Sequence, residues 1–341
     1  MIDAPLPLAS DGPQRLAEGV ALLRRGELVA FPTETVYGLA ADATNPAAIA
    51  KIFALKGRPG DHPLIVHVAP EARLEDWAVD IPESARRLAA AFWPGPLTMI
   101  LKRAPRVPAI VTGGQDTVGL RCPSHPVAQQ LLREFAKVGS GAVAAPSANR
   151  FGHVSPTTAQ HVRDEFGPGL FVLDGGDCEV GLESTIVDLS RGEPVLLRPG
   201  AVTREAIGSV LGVAPRDRDA AAPRAPGALA SHYAPRTPVA LVAATELEQR
   251  VRRELAAGRS IAVLARSPWP GALREAAAVW WYAAPEAAAA YGHDLYANLR
   301  ALDANGAGLI VVETPPEGAA WEAVRDRLSR AAAGADDSDE T

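Results

Sequence analysis

The sequence predicts an α/β protein in which a larger domain on a twisted, mixed sheet is followed by a smaller Rossmann-like three-layer α/β domain. Short apolar segments typical of strands lie among segments that repeat apolar residues at helical spacing. Over residues 1–212 the two kinds of segment do not alternate strictly, which indicates a mixed sheet. A segment rich in Pro, Ala and charge interrupts the pattern at 213–237, and a βα rhythm resumes over 238–330.

The first domain is predicted to open with a helix over 13–25, whose apolar residues share one face and which Gly26 ends. A second helix over 46–55 starts at Pro46, a residue suited to the first helical turn. Further helices are expected at 83–92, 125–137, 157–166 and 203–211, and strands at 28–32, 63–69, 97–102, 117–121, 142–146, 170–173, 184–189 and 194–198.

Residues 213–237 are predicted to form a linker that its prolines keep extended. The second domain then reads as strand PVALVA, helix TELEQRVRRELAAG, strands SIAVLA and AVWWYA, a helix through HDLYANLRALDAN, strand LIVVET and helix WEAVRDRLSR. It lacks G-x-G-x-x-G, so no dinucleotide is inferred. The small and acidic residues 331–341 are expected to form a disordered tail.

Composition favours an ordinary globular protein. Of the 341 residues, 48% are hydrophobic and 22% charged, which supports a sizeable core. The net charge of −6 argues against a protein whose main role is to hold a nucleic-acid backbone. With two cysteines, Cys122 and Cys178, neither a disulfide framework nor a cysteine-rich zinc site is expected. No signal-peptide pattern or long apolar run is present, so a cytoplasmic protein is predicted.

The loop KGRPGDHP at 56–63 carries two cations, Lys56 and Arg58, between a helix and a buried strand. A point charge and a planar fork two residues apart suit a polyphosphate. The sequence has no G-x-x-x-x-G-K-[ST], so phosphates would have to bind by a route other than a P-loop. A solvated surface loop is the alternative interpretation.

The segment AAPSANRFGHVSP at 144–156 joins a strand of small residues to a polar turn. Small residues permit close approach of a ligand to the backbone. Ser147, Asn149 and Ser155 would supply neutral donors and acceptors for a phosphate or ribose. An ordinary Ser or Asx turn is the alternative.

Polar side chains also follow the strand that ends at Phe31. They are Thr33, Glu34, Thr35 and Tyr37, in FPTETVYGL. Clustered hydroxyls at a strand end suit a small polar substrate, although a capped turn would use the same residue types.

Two buried strands carry a polar residue each, His67 in PLIVHVA and Arg121 in TVGLRCP. A lone strand histidine is more often a core residue than a ligand-binding one. A buried arginine needs an anionic partner, which an amino-acid carboxylate or an Asp or Glu of the chain would provide.

Taken together, FPTETVYGLAADATNPAAIAKIFALKGRPGDHPLIVH at 31–67 and APSAN at 145–149 resemble the YrdC-type L-threonylcarbamoyladenylate synthase family. The family signature is Lys-x-Arg followed about ninety residues later by Ser-x-Asn. GLESTIVDL at 181–189 and LLRPG at 196–200 also match the family's long, two-domain form. The motif SHYAP at 231–235 resembles the family's lid segment, so the resemblance implies that the linker 213–237 is a lid over the active site; simple docking against the domain surface is the alternative.

The resemblance implies condensation of L-threonine, bicarbonate and ATP into threonylcarbamoyl-AMP and pyrophosphate, with Mg²⁺ accompanying the ATP. A separate transferase would use the product to form threonylcarbamoyladenosine beside the anticodon of tRNA, and weak tRNA contact is possible. No protein nucleophile is required. The resemblance assigns L-threonine to Thr35, His67, Arg121, Ala145 and Ser184. It assigns ATP to Lys56, Arg58, His62, Thr117, Ser147, Asn149, Ser155, Arg198 and Tyr233, with Lys56 and Arg58 catalytic.

One assigned position departs from the family pattern, because His62 stands where Asn is common. Three other functions remain possible from the sequence: a tRNA- or double-stranded-RNA-binding module without synthase activity, a carbamoyl transferase of the hydrogenase-maturation type, and a structural scaffold. The net charge of −6 and the 5% aromatic content weigh against the first. The second type carries cysteine-rich zinc motifs that this chain lacks, and the convergent polar motifs disfavour the third.

Overall fold

A computed structural model describes residues 12–227, 232–271 and 278–336. These residues form two compact units. The first unit contains 12–151 and 156–227, and the second contains 152–155 and 232–336. Segment 152–155 thus belongs by its contacts to the second unit, although the sequence places it inside the first domain.

The first unit combines helices with one large mixed sheet, which confirms the predicted fold class. Its helices are α1 Gly12–Arg24, α2 Pro46–Lys56, α3 Glu83–Phe92, α4 Pro126–Ala136, α5 Ala159–Phe166 and α6 Arg204–Leu211. Its strands are β1 Val29–Phe31, β2 Gly38–Asp42, β3 Ile65–Val68, β4 Ala78–Val79, β5 Leu97–Arg103, β6 Thr117–Arg121, β7 Ala142–Ala144, β8 Phe171–Val172, β9 Thr185–Asp188, β10 Val195–Arg198 and β11 Arg216–Asp217.

The strands are hydrogen-bonded in the order β11-β10-β9-β5-β6-β3-β7-β2-β1-β8, and β4 pairs with β5. The β3–β6 and β5–β9 pairs are parallel, whereas the β3–β7, β2–β7 and β5–β6 pairs are antiparallel. Strand β11 lies within the predicted linker and pairs with β10, so the sheet extends beyond residue 212.

Successive residues of the central strands face opposite sides of this sheet. One side forms an apolar core with α2, α3, α5 and α6. On the other side, β1, β2 and β7 form a core with α1 and α4. Further along that second side is a smaller apolar cluster, covered by the segment around Ala225. Its other members are Ile65, Ile100, Ile186, Val195 and Leu197.

The second unit has a parallel sheet in the order β12-β15-β13-β14, which agrees with the predicted Rossmann-like three-layer arrangement. Its elements are β12 Val239–Val242, α7 Leu247–Ala256, β13 Ile261–Ala265, β14 Val279–Ala283, α8 Ala288–Ala304, β15 Leu309–Glu313 and α9 Glu322–Asp336. Helix α9 continues through residues 331–336, so the expectation of disorder from residue 331 is wrong for that part. Residues 337–341 lie outside the described residues. Within the described residues, no helix is both long and apolar enough to cross a membrane.

Candidate active site

Several predicted site residues lie on the second side of the first-unit sheet, between the core that packs against α1 and α4 and the smaller apolar cluster under Ala225. His67 on β3 is paired with Arg121 on β6, and Thr117 has the same orientation as Arg121 because it lies four residues earlier on that strand. Ala145 follows β7 and donates its amide to the Ile65 carbonyl at 2.9 Å. Sheet pairing therefore gathers residues that are far apart in sequence onto a common surface.

Lys56 joins the two signature segments. It is the last residue of α2, which Asn45 caps at its start and Gly57 ends in the left-handed conformation. Its ammonium donates to the Ser147 carbonyl at 2.7 Å and to the Asn149 carbonyl. Burial, followed by the charge of Arg58, lowers the pKa of Lys56 well below its usual value. A bound polyphosphate would favour the charged form again.

Arg58 and His62 lie around one aromatic ring. The Arg58 guanidinium donates to the Pro63 carbonyl at 3.0 Å and lies 5.6 Å from the centre of the Phe151 ring. His62 meets the same ring edge to face at 5.3 Å. Burial and the Arg58 charge lower the pKa of His62, which favours a neutral imidazole at this position.

Arg121 and Glu34 form a buried ion pair. Arg121 Nη2 is 2.7 Å from Glu34 Oε1, and the Ser124 amide donates to Glu34 Oε2 at 3.0 Å. His67 contacts the Ile65 carbonyl through Nδ1 at 3.2 Å. Burial, followed by the Arg121 charge, lowers the pKa of His67 to about 3. His67 is therefore a neutral hydrogen-bonding group at physiological pH.

The turn between β1 and β2 is fixed by Thr33. Its hydroxyl donates to the Val36 carbonyl at 2.6 Å and accepts from the amides of Thr35 and Val36. It also lies 2.9 Å from the Thr35 hydroxyl, which is fully buried. The Tyr37 hydroxyl does not take part in this turn, because it donates to the Gly176 carbonyl at 2.8 Å. Thr35 is thus held by local backbone geometry.

Ser184 and Arg198 form a second polar group on the same side of the sheet. The Ser184 hydroxyl is 2.8 Å from Thr98 Oγ1 and accepts from Arg198 Nη2 at 3.2 Å. Arg198 also donates to the Ser184 carbonyl at 3.1 Å and to the Pro226 carbonyl at 3.0 Å. The segment that follows β11 therefore closes over this group within the first unit.

Ser155 and Tyr233, both predicted to bind ATP, belong to the second unit. Tyr233 is buried, has a left-handed backbone (φ 62°) and stacks on Tyr296 at 5.7 Å. The Arg327 guanidinium lies 5.3 Å from the Tyr233 ring centre. Residues 228–231, which include Ser231 of the SHYAP motif, lie outside the described residues.

The two cysteines flank the buried ion pair. Cys122 follows Arg121 directly, and burial, with the Glu34 charge as the next cause, raises the pKa of Cys122 to about 12. The same two causes also raise the pKa of Cys178. Both thiols are buried, and neither forms a disulfide.

No group of three or more His, Cys, Asp and Glu side chains that could hold a metal ion occurs in the described part of the chain. The site instead offers ammonium and guanidinium cations, hydroxyls and backbone amides. Such donors suit phosphates and carboxylates. The arrangement can position two anionic reactants and neutralise charge that develops between them.

Sequence reasoning did not give a role to Thr98 or settle the partner of Arg121. Thr98 is one of several polar residues in apolar strands, and no local pattern singles it out. Glu34 had a usable signal, because an arginine that ends an apolar strand requires an anion nearby.

Two family models match the chain. Residues 21–200 match the Sua5/YciO/YrdC family, described as "Telomere recombination", and residues 202–333 match "Threonylcarbamoyl-AMP synthase, C-terminal domain".

Similar proteins of comparable length carry one name. The threonylcarbamoyl-AMP synthase of Bacillus subtilis is 40% identical, with 98% of this chain and 97% of that protein covered. The synthase of Pyrococcus abyssi is 38% identical, with 93% of each covered. The crystal structure of P. abyssi Sua5 complexed with L-threonine superimposes with a TM-score of 0.85 at 36% identity and covers 94% of each chain. A shorter putative synthase of Mycobacterium tuberculosis is 41% identical, with 58% of this chain and 89% of that protein covered.

Proposed function

The chain belongs to the threonylcarbamoyl-AMP synthase family, and we propose that it condenses L-threonine, bicarbonate and ATP into L-threonylcarbamoyl-AMP and pyrophosphate. This membership confirms the resemblance drawn from the sequence. The enzyme is a nucleotidyltransferase that supplies the threonylcarbamoyladenosine modification of tRNA. The observation that carries the proposal is the pair of hydrogen bonds that Lys56 donates to the Ser147 and Asn149 carbonyls, which brings the two signature segments together.

On the L-threonine side, Arg121 supplies the cation for the substrate carboxylate. Thr35 and His67 offer neutral polar groups beside it, since the pKa of His67 is lowered to about 3. Ala145 provides backbone without side-chain bulk, and the Ser184 hydroxyl completes the set.

On the ATP side, Lys56 and Arg58 face the phosphates as a point charge and a fork. Arg198 adds a third cation within the first unit. The other proposed contacts within the first unit are His62, Thr117, Ser147 and Asn149.

The proposed reaction starts when the threonine amine and bicarbonate form a carbamate with loss of water. A carbamate oxygen then attacks the α-phosphorus of ATP, the bond from that phosphorus to the bridging oxygen breaks, and pyrophosphate leaves. The cations offset the charge that develops on the phosphoryl oxygens, and the protein's contribution is positioning and electrostatic stabilisation. Mg²⁺ is proposed to enter with ATP, held by the phosphates, where it would lower the charge of the leaving group.

The product is a mixed anhydride that transfers its threonylcarbamoyl group to an amine. A separate tRNA threonylcarbamoyl transferase is therefore the proposed downstream partner, and any contact of this chain with tRNA is proposed to be weak. An RNA-binding function without synthesis is not favoured, because the full-length relatives reported above are named as synthases.

Pyrophosphate release from ATP and Mg²⁺, with and without L-threonine and bicarbonate, tests the function when combined with mass spectrometry of the nucleotide. Release that requires both co-substrates, with a threonylcarbamoyl adduct of AMP, is expected. Release with L-threonine alone would indicate simple aminoacyl adenylation, and folded protein that releases none would contradict the proposal.

A further inference from the structure

Glu34 is a fully enclosed acid whose two oxygens have different partners. Its side chain is 3% exposed. Oε1 accepts from Arg121 at 2.7 Å, and Oε2 accepts from the Ser124 amide at 3.0 Å. The Glu34 carbonyl in turn accepts from the Val180 amide at 2.7 Å. Main chain and side chain are thus both anchored, so the carboxylate is a fixed point in this part of the sheet.

Arg121 has an unused donor beside that fixed point. Its side chain is 5% exposed, and its Nε is buried without a hydrogen-bond partner among the described residues. A buried N–H that lacks an acceptor costs free energy, so an oxygen atom of a ligand would be well placed to satisfy it. The adjacent strand β3 places His67 beside Arg121 as a neutral imidazole, so His67 neither repels the guanidinium as a cation nor pairs with it as an anion.

We propose that Glu34 is a positioning residue that orients Arg121 for the carboxylate of L-threonine. This inference rests on the proposed synthase function. Both oxygens of Glu34 are occupied by protein donors, so Glu34 acts through the guanidinium and does not touch the substrate. By holding Nη2, it fixes the rotation of the planar fork and leaves Nε and the remaining N–H groups for the incoming carboxylate.

Glu34→Gln tests the assignment. The amide oxygen keeps an acceptor for Arg121, but the NH₂ group cannot accept from the Ser124 amide, so the side chain loses one anchor and its charge. We expect the KM for L-threonine to rise at least tenfold, with kcat and the KM for ATP each within about twofold. Glu34→Asp retains the charge with a shorter reach and should give an intermediate KM for L-threonine.

Glu313→Gln is the matched control, because Glu313 is equally buried, accepts from a backbone amide at 2.7 Å and pairs with Arg266 in the second unit. It should leave the KM for L-threonine unchanged.

Arg121→Lys supplies the second half of a double-mutant cycle. If Glu34 acts through Arg121, Glu34→Gln should raise the KM for L-threonine much less in the Arg121→Lys background than in the wild-type background.

The outcomes separate the two hypotheses. Wild-type enzyme that makes no threonylcarbamoyl-AMP contradicts the proposed function. Suppose instead that wild-type enzyme makes threonylcarbamoyl-AMP. An unchanged KM for L-threonine in Glu34→Gln, or additive effects of Glu34→Gln and Arg121→Lys, would then contradict the positioning role alone. If Glu34→Gln does not fold, Glu34→Asp decides: an unchanged KM for L-threonine there contradicts the inference.

Discussion

At the scale of single residues, Lys56 connects positions that are 91 residues apart in the chain. Two of its three N–H groups are directed to the Ser147 and Asn149 carbonyls. It therefore shapes the Ser-x-Asn turn and also brings a cation next to it. This one side chain therefore gives a physical reason why Lys-x-Arg and Ser-x-Asn occur together in the family signature.

Lys56→Ala removes the cation and the anchor of the turn together. We expect kcat/KM for ATP to fall by an amount equivalent to about 3–4 kcal/mol, by analogy with a lost oxyanion donor. Lys51→Ala is the control, because Lys51 lies on the same helix, pairs with Glu27 and is half exposed. Pyrophosphate release at varied ATP measures both, and a Lys56→Ala enzyme with near-normal activity would contradict the role.

His67 makes stability depend on pH. Its pKa is lowered to about 3 in the folded protein by burial and Arg121, against about 6.5 when unfolded. The unfolded chain therefore binds more protons between these values, and acidification lowers the free energy of unfolding. From pH 7 to pH 5, wild-type protein should lose about 2 kcal/mol more than His67→Gln. Urea unfolding at both pH values measures the difference, and equal losses would show that His67 does not titrate as described.

At the scale of elements, the end of α2 positions Lys56 and Arg58, because the helix ends between these two residues, at Gly57. Gly57 ends the helix with φ 64° and ψ 31°, and its amide bonds to the Ala54 and Phe53 carbonyls. Glycine adopts this conformation without steric cost, whereas other L-residues pay for it.

Gly57→Ala should lower the free energy of unfolding by about 1 kcal/mol, because alanine is strained in the left-handed conformation. It should also raise the KM for ATP, because the two cations flank this position. An added Cβ would meet no atom within 4 Å, so backbone strain is the whole cause. Gly60→Ala provides the control in the same loop, with equally open space and no left-handed φ. Thermal unfolding and pyrophosphate release should separate the two variants, and equal behaviour would rule out strain at Gly57.

Elements with strong periodicity were predictable, and weakly patterned ones were not. The apolar runs around β3, β5 and β6 predict strands correctly. β2 was missed because GLAAD lacks the β-branched residues that mark strands, and β11 was missed because Arg216 and Asp217 are exposed and gain their strand character from β10. The ion pair of Glu34 with Arg121 spans 87 residues, so only the tertiary fold reveals it.

At the scale of the whole molecule, the first unit extends past the predicted domain boundary. Residues after 212 add β11, the cover formed by Ala225 over the apolar cluster, and the Pro226 carbonyl bound by Arg198.

A chain ending at residue 227 should therefore be more stable than one ending at residue 212, by about 1–3 kcal/mol, because the shorter form exposes apolar surface and leaves Arg198 without one acceptor. Chemical denaturation of both truncated proteins checks this. Equal stability would mean that residues 213–227 contribute little to the first unit.

The alkylation of Cys122 and Cys178 can report how often the sheet around them opens. Thiol reagents attack the thiolate, and burial raises the pKa of Cys122 to about 12 and also that of Cys178. Alkylation must wait until the sheet around Arg121 and Glu34 opens. A timed pulse of iodoacetamide, read by mass spectrometry, therefore measures how often this part of the sheet opens in wild-type protein without an engineered label. L-threonine bound at its proposed site should slow the alkylation of both sulfurs.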